Sequence, residues 1–347
     1  MLDPWVEQVE RLARRCTSAR DVATLAQLIP EIRSTAIDML RVDAGGGLVA
    51  RTLSALHDAL TVRLIELSVA RHRLPTAKWC WLAFGSEGRG EQTFVTDQDN
   101  GIIFCAADAA ETRALRPLFM ACAKDVNQAL AACGFPLCEG GIMAGNADCC
   151  LSLAEWQERF VSWIRTPEPQ ALLNATIFFD VRVLYGATEL VGSLRAYSDQ
   201  WIQGGDGFLR MLAENALAAE PPLGFLRDFD APEGVVDLKK FGARLFVDAA
   251  RILGMNCSDS STAARLRHAA ATGKLSVDES EGALAAFHHL QRIRLFGQIR
   301  ALAGGEVPGN LIDPQSLNLF DRRMLHETFK QARLLQQRLK ITFRIEG

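Results

Sequence analysis

Two aspartates separated by one residue stand where the chain enters an apolar stretch, because Asp97-Gln98-Asp99 leads directly into residues 100–104. In an extended chain alternate side chains point to the same face, so both carboxylates project to one side and Gln98 to the other. Two carboxylates about 6 to 7 Å apart along a strand repel each other unless cations lie between them. Magnesium prefers oxygen ligands and commonly combines carboxylates with substrate phosphates, and paired ions clamp both oxygens of an in-line phosphoryl displacement. The spacing therefore predicts that Asp97 and Asp99 hold Mg2+ for phosphoryl transfer.

A Gly-Ser pair lies ten residues before these acids, at the end of another apolar run. Gly85 lets the backbone approach a phosphate closely, the Ser86 hydroxyl adds a donor, and amides at a helix start would favour negative charge. Arg89, one turn further on, could reach the same phosphates as a forked donor. The pattern is neither a P-loop nor a dinucleotide fingerprint, because its glycines have G-x-x-G-x-G spacing and G-x-x-x-x-G-K is absent. We interpret this turn as the cradle for a triphosphate.

The elements that must position these residues follow from the hydrophobic period. The short, aromatic-rich run WCWLAF from Trp79 is typical of a strand, and residues 100–104 predict a second one. An apolar stripe within residues 111–132 predicts a helix that stops at Gly134. The run FPLCEGGIM, which begins at Phe135, predicts a third strand. This order describes a small α/β core. The helix stripe comprises Leu115, Leu118, Phe119, Cys122, Val126 and Leu130.

Helical patterns lie on both sides of this core. After the turn at Gly45-Gly46-Gly47, leucines recur at steps of three and four, and helical patterns also continue beyond Ala154. We predict an α+β fold in three parts: an amino-terminal helical region (1–75), a catalytic core (76–186) and a helical bundle (187–347). The first stripe is Leu53, Leu56, Leu60, Leu64 and Leu67, and the last is Leu325, Phe329, Ala332, Leu335 and Leu339.

Composition excludes several classes of protein. A net charge of -3 and the lack of a block rich in lysine or arginine give no general attraction to a polyanion, so no nucleic acid partner is expected. No stretch approaches the roughly 20 uncharged apolar residues of a membrane span, and the first residues do not form a secretory signal. We therefore expect a cytoplasmic protein with no membrane partner. The nine cysteines are scattered without a C-x-x-C pair, which favours reduced thiols over a zinc finger at Cys149-Cys150.

One helical stretch in the carboxyl-terminal half carries a polar stripe that has two interpretations. Asp237, Lys240, Arg244, Asp248 and Arg251 fall within one narrow sector at about 100° per residue. Such a stripe is more often an exposed face of i,i+4 ion pairs. The other interpretation is a cationic surface that grips an acidic acceptor or a phosphate.

Four motifs together resemble a known family: GSEGRGEQTFVTDQDN, GFPLCEGGIMAGN, FFDVRVLYG and DLKKFGARLFVDAARILG. The Gly-Ser pair followed by D-x-D resembles the nucleotidyltransferase superfamily built on the DNA polymerase beta-like core. The longer first string is similar to its bacterial branch, which includes the uridylyltransferase of the PII signalling protein and the adenylyltransferase of glutamine synthetase. More narrowly, the chain resembles the uncharacterised nucleotidyltransferases that are often fused to CBS and cyclic-nucleotide-binding domains. The resemblance spans nearly the whole chain and implies a polymerase beta-like core and a carboxyl-terminal substrate-binding domain.

Carried over by position, the resemblance implies that Gly85 and Ser86 hold the nucleotide phosphates, while Asp97 and Asp99 bind Mg2+ and serve catalysis. Arg89 joins the nucleotide-binding residues on the argument given above.

Superfamily members usually carry a third carboxylate on a neighbouring strand, as base or metal ligand. Glu139 is the candidate by strand order, and Asp180 in FFDVR is the alternative. Neither stands in a decisive motif. Because of its place in the strand order, Glu139 is the residue that we expect to be the third catalytic carboxylate.

The expected activity is magnesium-dependent transfer of NMP from an NTP to a hydroxyl acceptor, with a signalling protein as the expected kind of acceptor. An inactive nucleotide-binding regulatory module is the alternative, which the missing third acid favours. A small-molecule nucleotidyltransferase of the antibiotic-modifying type would share the same core.

Overall fold

The computed structural model describes residues 4–203, 207–224, 229–230 and 234–346. The chain divides into two structural units. The first comprises the chain up to Val42, Arg51–Gln92 and Thr96–Trp201, and the second comprises Asp43–Ala50, Thr93–Val95 and the chain from Ile202. Helices dominate both units and strands are few, which confirms the predicted α+β class. The three-part division at residues 75 and 186 stays a prediction.

The first unit is built on a small mixed sheet. Its strands are β1 (Trp79–Ala83), β2 (Asn100–Phe104), β3 (Cys150–Ser152) and β4 (Arg182–Gly186), in the order β3-β2-β1-β4. β1 pairs antiparallel with both β2 and β4, and β2 pairs parallel with β3. Every residue of β2 is buried, as is every residue of β1 after the first, which explains why both read as continuous apolar runs. The first two strands are the ones that the sequence predicts.

The register of β1 against β2 brings the two motifs together. Ala83, the last residue of β1, pairs with Asn100, the first residue of β2. One position further out, the Phe84 N–H donates to the Asp99 carbonyl over 2.8 Å. The Gly-Ser turn that follows β1 and the acids that precede β2 therefore lie at the same edge of the sheet.

Helices cover the sheet and extend the unit. Those wholly or mainly in the first unit are α1 (Pro4–Ser18), α2 (Val22–Arg41), α3 (Gly46–Val69), the single turn α4 (Gly85–Gly88), α5 (Ala109–Ala132), α6 (Leu153–Arg165), α7 (Pro169–Phe178) and α8 (Glu189–Ile202). α5 confirms the predicted helix, and Gly134 takes a left-handed φ of 90° just past its end. Leu118 of its predicted stripe is 46% exposed, because it lies on the flank of the buried face.

α6 is fastened to the sheet by an aromatic cluster. Trp156 is fully buried, and its indole Nε1–H donates to the carbonyl of Ile102 in β2 over 2.9 Å. A capping box starts the helix, because the Ser152 hydroxyl and the Glu155 carboxylate bond each other's backbone N–H groups. Trp163, seven residues after Trp156, stacks on Phe178 of α7 with ring centroids 5.1 Å apart. Both tryptophans are core residues, as their spacing on one helix face indicates.

The predicted third strand from Phe135 is wrong. Residues 135–143 form a connection, and the third strand of the sheet is β3, which begins at Cys150. The Gly141 N–H donates to the Cys138 carbonyl over 3.0 Å, so the chain turns where the prediction placed a straight strand. The glycine pair in CEGG makes this turn possible, because Gly141 has a left-handed φ of 71°.

The second unit is helical. Its helices are α9 (Gly207–Leu217), α10 (Arg244–Leu253), α11 (Thr262–Ala271), α12 (Val277–Ala303) and α13 (Leu319–Phe343). Two short antiparallel strands, β5 (Val236–Asp237) and β6 (Leu311–Ile312), accompany them, and a turn of π-helix at Lys239–Ala243 leads into α10. The apolar stripe predicted for α13 is buried. Within the described ranges, no helix combines the length and the apolar character that crossing a bilayer requires.

Candidate functional site

The Gly-Ser turn opens directly beside one of the two acids. Gly85 has a left-handed φ of 55°, and a Cβ built on it would lie 3.2 Å from Asp99 Oδ2. A side chain at this position would meet both backbone strain and the carboxylate, so the turn requires glycine. Ser86 follows on the same half-buried turn.

The D-x-D segment keeps its alternation although it precedes β2 as extended chain. The buried Gln98 side chain points inward, where its Nε2 donates to the carbonyls of Asn127 (3.0 Å) and Phe135 (2.9 Å). Asp97 is exposed and Asp99 is half-buried on the other side. One ligand atom from each aspartate and Cys138 Sγ all lie within 4.8 Å of one another. The predicted convergence of the two carboxylates is therefore present, and a thiol joins it.

Cys138 is the residue that the sequence reasoning missed at this position. Its thiol donates to Asp99 Oδ1 over 3.4 Å, and burial raises the pKa of the thiol. Backbone bonds on both sides hold its loop against the acids: the Gln98 N–H donates to Pro136 O and the Asn100 N–H to Ile142 O, each over 3.1 Å. In the sequence, the single indication that Cys138 could lie near the acids is its position immediately before Glu139, the candidate for the third carboxylate.

The two candidates for the third carboxylate lie elsewhere. Glu139 is exposed in the turn after Cys138 and does not belong to the group of ligand atoms formed by Asp97 and Asp99. Asp180 is fully buried just before β4, where its Oδ2 accepts from Arg89 Nη1 over 2.5 Å.

Arg89 is engaged by carboxylates. Besides Asp180, its guanidinium bonds Glu91 through Nε over 2.8 Å, and its side chain is 12% exposed. The backbone of the same turn lies close to the backbone of Asp180, since a Cβ on Gly88 would lie 1.9 Å from the Asp180 carbonyl oxygen. Arg89 and Asp180 thus bind each other and fix the turn from behind.

Glu87 is the second residue that the sequence reasoning missed. Glu87 is 7% exposed and lies within the turn that carries Gly85. The pKa of Glu87 is raised to about 8, mainly by burial and then by the carboxylate of Asp58; Arg182 lowers it, and Asp99 and Asp97 raise it by smaller amounts. The sequence shows a glutamate two residues after Gly85, but it does not predict whether that side chain points into the protein or towards solvent.

Arg182 ties this region to α3. Its Nη1 and Nη2 donate to the two carboxylate oxygens of Asp58 over 2.7 and 3.1 Å. Nη2 also donates to the Glu87 carbonyl over 2.8 Å. Burial raises the pKa of Asp58, while Arg182 opposes that shift. Two arginine-aspartate pairs, Arg89–Asp180 and Arg182–Asp58, therefore hold the Gly-Ser turn.

These residues fit a divalent cation. Asp97 and Asp99 each place a carboxylate oxygen in one group of ligand atoms, and both carboxylates raise the pKa of the buried Glu87. Mg2+ takes oxygen ligands and tolerates one or two protein carboxylates with water and phosphate completing its shell. Asp97 and Asp99 supply that donor set, whereas the sulfur of Cys138 is not a ligand that Mg2+ favours.

The polar stripe of α10 consists of ion pairs. Asp248 accepts from Arg251 over 2.6 Å and from Arg244 over 3.1 Å. Asp248 and Arg251 are 4% and 2% exposed, so the predicted exposure of this face is wrong for that half of the stripe. The π-helical turn shifts the phase before Arg244, and Asp237 instead accepts from the backbone N–H groups of Lys239 and Lys240.

Comparison with known families gives two matches. A family described as "Putative nucleotidyltransferase DUF294" matches residues 30–170, and one described as "Putative nucleotidyltransferase substrate binding domain" matches residues 206–343. None of the curated proteins matches the chain.

Proposed function

The chain belongs to the DUF294 family of putative nucleotidyltransferases, and from this premise we propose that it transfers NMP from an NTP to a hydroxyl acceptor in a magnesium-dependent reaction. One observation carries the proposal: the Gly-Ser turn opens beside the acids, with the Cβ position of Gly85 3.2 Å from Asp99 Oδ2. A polyphosphate on the turn would then lie next to any cation that the acids bind.

The turn offers backbone donors for phosphate oxygens. The first amide bonded back to the preceding chain is that of Gly88, which donates to Phe84 O over 2.9 Å. In the described part of the chain, no backbone carbonyl accepts from the amides of Gly85 or Ser86. These two amides and the Ser86 hydroxyl are the groups that we assign to the nucleotide phosphates.

Asp97 and Asp99 are the residues that we assign to the cation. A divalent cation at this position would neutralise charge on the α-phosphate and orient it. The acceptor hydroxyl oxygen forms a bond to the α-phosphorus, the bond from that phosphorus to the oxygen bridging to the β-phosphorus breaks, pyrophosphate leaves and the hydroxyl releases its proton. The chain contributes mainly position, because the turn and the acids are fixed against each other by the β1–β2 register.

Arg89 binds Asp180 and Glu91, and we propose that it holds the nucleotide-binding turn, while its contact with the nucleotide phosphates stays a prediction. Glu139 stays a prediction as the third carboxylate. The acceptor is proposed to be a hydroxyl on a signalling protein, which rests on the resemblance to the PII uridylyltransferase, and the matched substrate-binding domain is where we place its recognition.

A second candidate is an inactive nucleotide-binding module. It is favoured by the composition of the group of ligand atoms, which contains the Cys138 thiol and no third carboxylate among the described residues. Such a module would bind NTP in the presence of Mg2+ and release no pyrophosphate.

The test is pyrophosphate release from labelled NTP in the presence of cell lysate as the source of acceptor. We expect Asp97→Asn combined with Asp99→Asn to abolish Mg2+-dependent turnover. Thermal unfolding should stay nearly unchanged, because Asp97 is exposed and Asp99 is only half-buried. Asp148→Asn is the matched control, since this side chain is 89% exposed and lies in the same unit.

The outcomes separate the candidates. Turnover that disappears only in the double variant supports the enzyme. Nucleotide binding without pyrophosphate release supports the regulatory module. If the double variant retained both turnover and metal-dependent nucleotide binding, the assignment of Asp97 and Asp99 would be wrong.

A further inference from the structure

The cation site contains a soft ligand. Cys138 Sγ lies 3.4 Å from Asp99 Oδ1, and the three ligand atoms of Asp97, Asp99 and Cys138 lie within 4.8 Å of one another. In a tetrahedral zinc site with Zn–S and Zn–O bonds near 2.3 and 2.1 Å, the sulfur and oxygen ligands lie about 3.6 Å apart. The thiol and the Asp99 carboxylate already have that separation, so only small rotations of the side chains would close the site.

The loop that carries Cys138 is held in place by its own contacts. Its two ends are bonded to Gln98 and to Asn100, through Pro136 O and Ile142 O respectively. Between them, Gly141 takes a left-handed turn, and its carbonyl accepts a bond from the Asn146 side chain. The sulfur is therefore positioned beside the acids before any ligand binds, which lowers the conformational cost of using it.

The buried Glu87 carboxyl gives a second, independent indication that a positive charge belongs here. The residue is 7% exposed, and no hydrogen bond or ion pair of its side chain is found among the described residues. Among its charged neighbours, Asp58 raises its pKa most, Arg182 lowers it, and Asp99 and Asp97 raise it by smaller amounts. A cation bound at Asp97 and Asp99 would reduce the repulsion that these two carboxylates exert on an ionised Glu87.

From this geometry we propose that Asp97, Asp99 and Cys138 form a mixed oxygen and sulfur site that binds a thiophilic divalent cation such as Zn2+ in preference to Mg2+. The site deepens the proposed function and rests on it, because the same two aspartates are assigned to the catalytic cation. Three protein ligands with a fourth position open is the arrangement of zinc sites that accept water or substrate. The thiol releases its proton to solvent as the metal-sulfur bond forms. Zn2+ at this site inhibits turnover supported by Mg2+.

Cadmium is the probe, because a thiolate bound to Cd2+ gives a ligand-to-metal charge-transfer band in the ultraviolet. The metal-free full chain is titrated with Cd2+ in the absence of nucleotide. We expect one equivalent to produce the band and a large excess of Mg2+ to leave it in place. Cys138→Ser removes the band and weakens Cd2+ binding by at least about tenfold, the lower end of what is lost even when an outer partner of a metal ligand is removed.

Two further variants complete the design. Cys105→Ser is the matched control, because this thiol is also half-buried in the first unit, and it keeps the band. Cys138→Asp replaces sulfur by oxygen, and it binds Mg2+ without giving the band, which keeps the test decisive if Cys138→Ser fails to fold. Circular dichroism and the thermal midpoint establish folding for each variant.

A band that persists in Cys138→Ser, or that Mg2+ readily displaces, overturns the inference. Its failure is distinguishable from failure of the proposed function, because cation binding is measured without nucleotide. A wild-type chain that shows the Cys138-dependent band and releases no pyrophosphate supports the site and contradicts the enzyme. A chain that releases pyrophosphate and gives no such band supports the enzyme and contradicts the mixed oxygen and sulfur site.

Discussion

Replacing Gly85 by alanine separates two costs that the structure assigns to the Gly-Ser turn. The first cost is backbone strain, because a φ of 55° places an alanine in the left-handed region, at about 1 to 2 kcal/mol. The second is contact with Asp99, the proposed cation ligand, because the new Cβ lies 3.2 Å from Asp99 Oδ2 and the carboxylate must move by a few tenths of an ångström. Gly90→Ala is the matched control, since Gly90 has a φ of 66° and an added Cβ would meet no atom within 4 Å.

Both variants should lose similar stability. Each kcal/mol lowers the thermal midpoint by about 2 to 4 °C in a unit of this size, so we expect a fall of roughly 2 to 8 °C for either variant. Divalent cation binding should differ between them. Ligand distances at metal sites hold within about 0.2 Å, so the displaced Asp99 carboxylate should weaken the binding of Mg2+ by about tenfold in Gly85→Ala and leave it unchanged in Gly90→Ala.

The assay is calorimetric titration of the metal-free chain with Mg2+, with thermal unfolding measured in parallel. Equal cation affinities in the two alanine variants would refute the argument, because they would show that the Gly85 position does not act on Asp99. A loss of affinity in Gly90→Ala alone would contradict it as well.

Two further predictions concern the groups behind the turn. Glu87→Gln should remove a pH dependence of stability. The folded chain keeps the Glu87 proton up to about pH 8, whereas the unfolded chain releases it near its ordinary pKa of 4.5, so the unfolding free energy of the wild-type chain falls by up to about 1.4 kcal/mol per pH unit between these values. Urea unfolding of both proteins from pH 5 to 8.5 tests the difference. A wild-type and variant pair with parallel profiles would show that Glu87 ionises normally. Arg182→Ala should cost about 1 to 3 kcal/mol in the same assay, because it leaves the half-buried Asp58 carboxylate without its donor and removes one of the bonds to the Glu87 carbonyl. Adding Asp58→Ala should recover part of that loss, and strictly additive effects of the two substitutions would contradict the pairing.

Local pattern was sufficient for the elements that carry the motifs. The predicted strands at Trp79 and Asn100 are present because each is a short apolar run bounded by polar or turn residues, and the helix ending before Gly134 is present because its apolar residues recur at steps of three and four. The convergence of Asp97 and Asp99 follows from the alternation of side chains in extended chain. The strand predicted from Phe135 is wrong, because apolar residues beside a glycine pair are compatible with a strand or with a turn. The loop is held by bonds to Gln98 and Asn100, which are distant from it in the sequence.

The sequence by itself determined the chemistry available to this protein: a flexible Gly-Ser turn, two acids on one face of an extended segment, and the family that these motifs mark. Only the tertiary structure decided which residues stand beside them. Cys138 instead of Glu139 reaches the acids, Arg89 binds Asp180, and Glu87 is buried in their field. The physical reason is that spacing along the chain constrains the direction of a side chain within its own element, whereas proximity, burial and pKa depend on segments joined by strand register and loop closure.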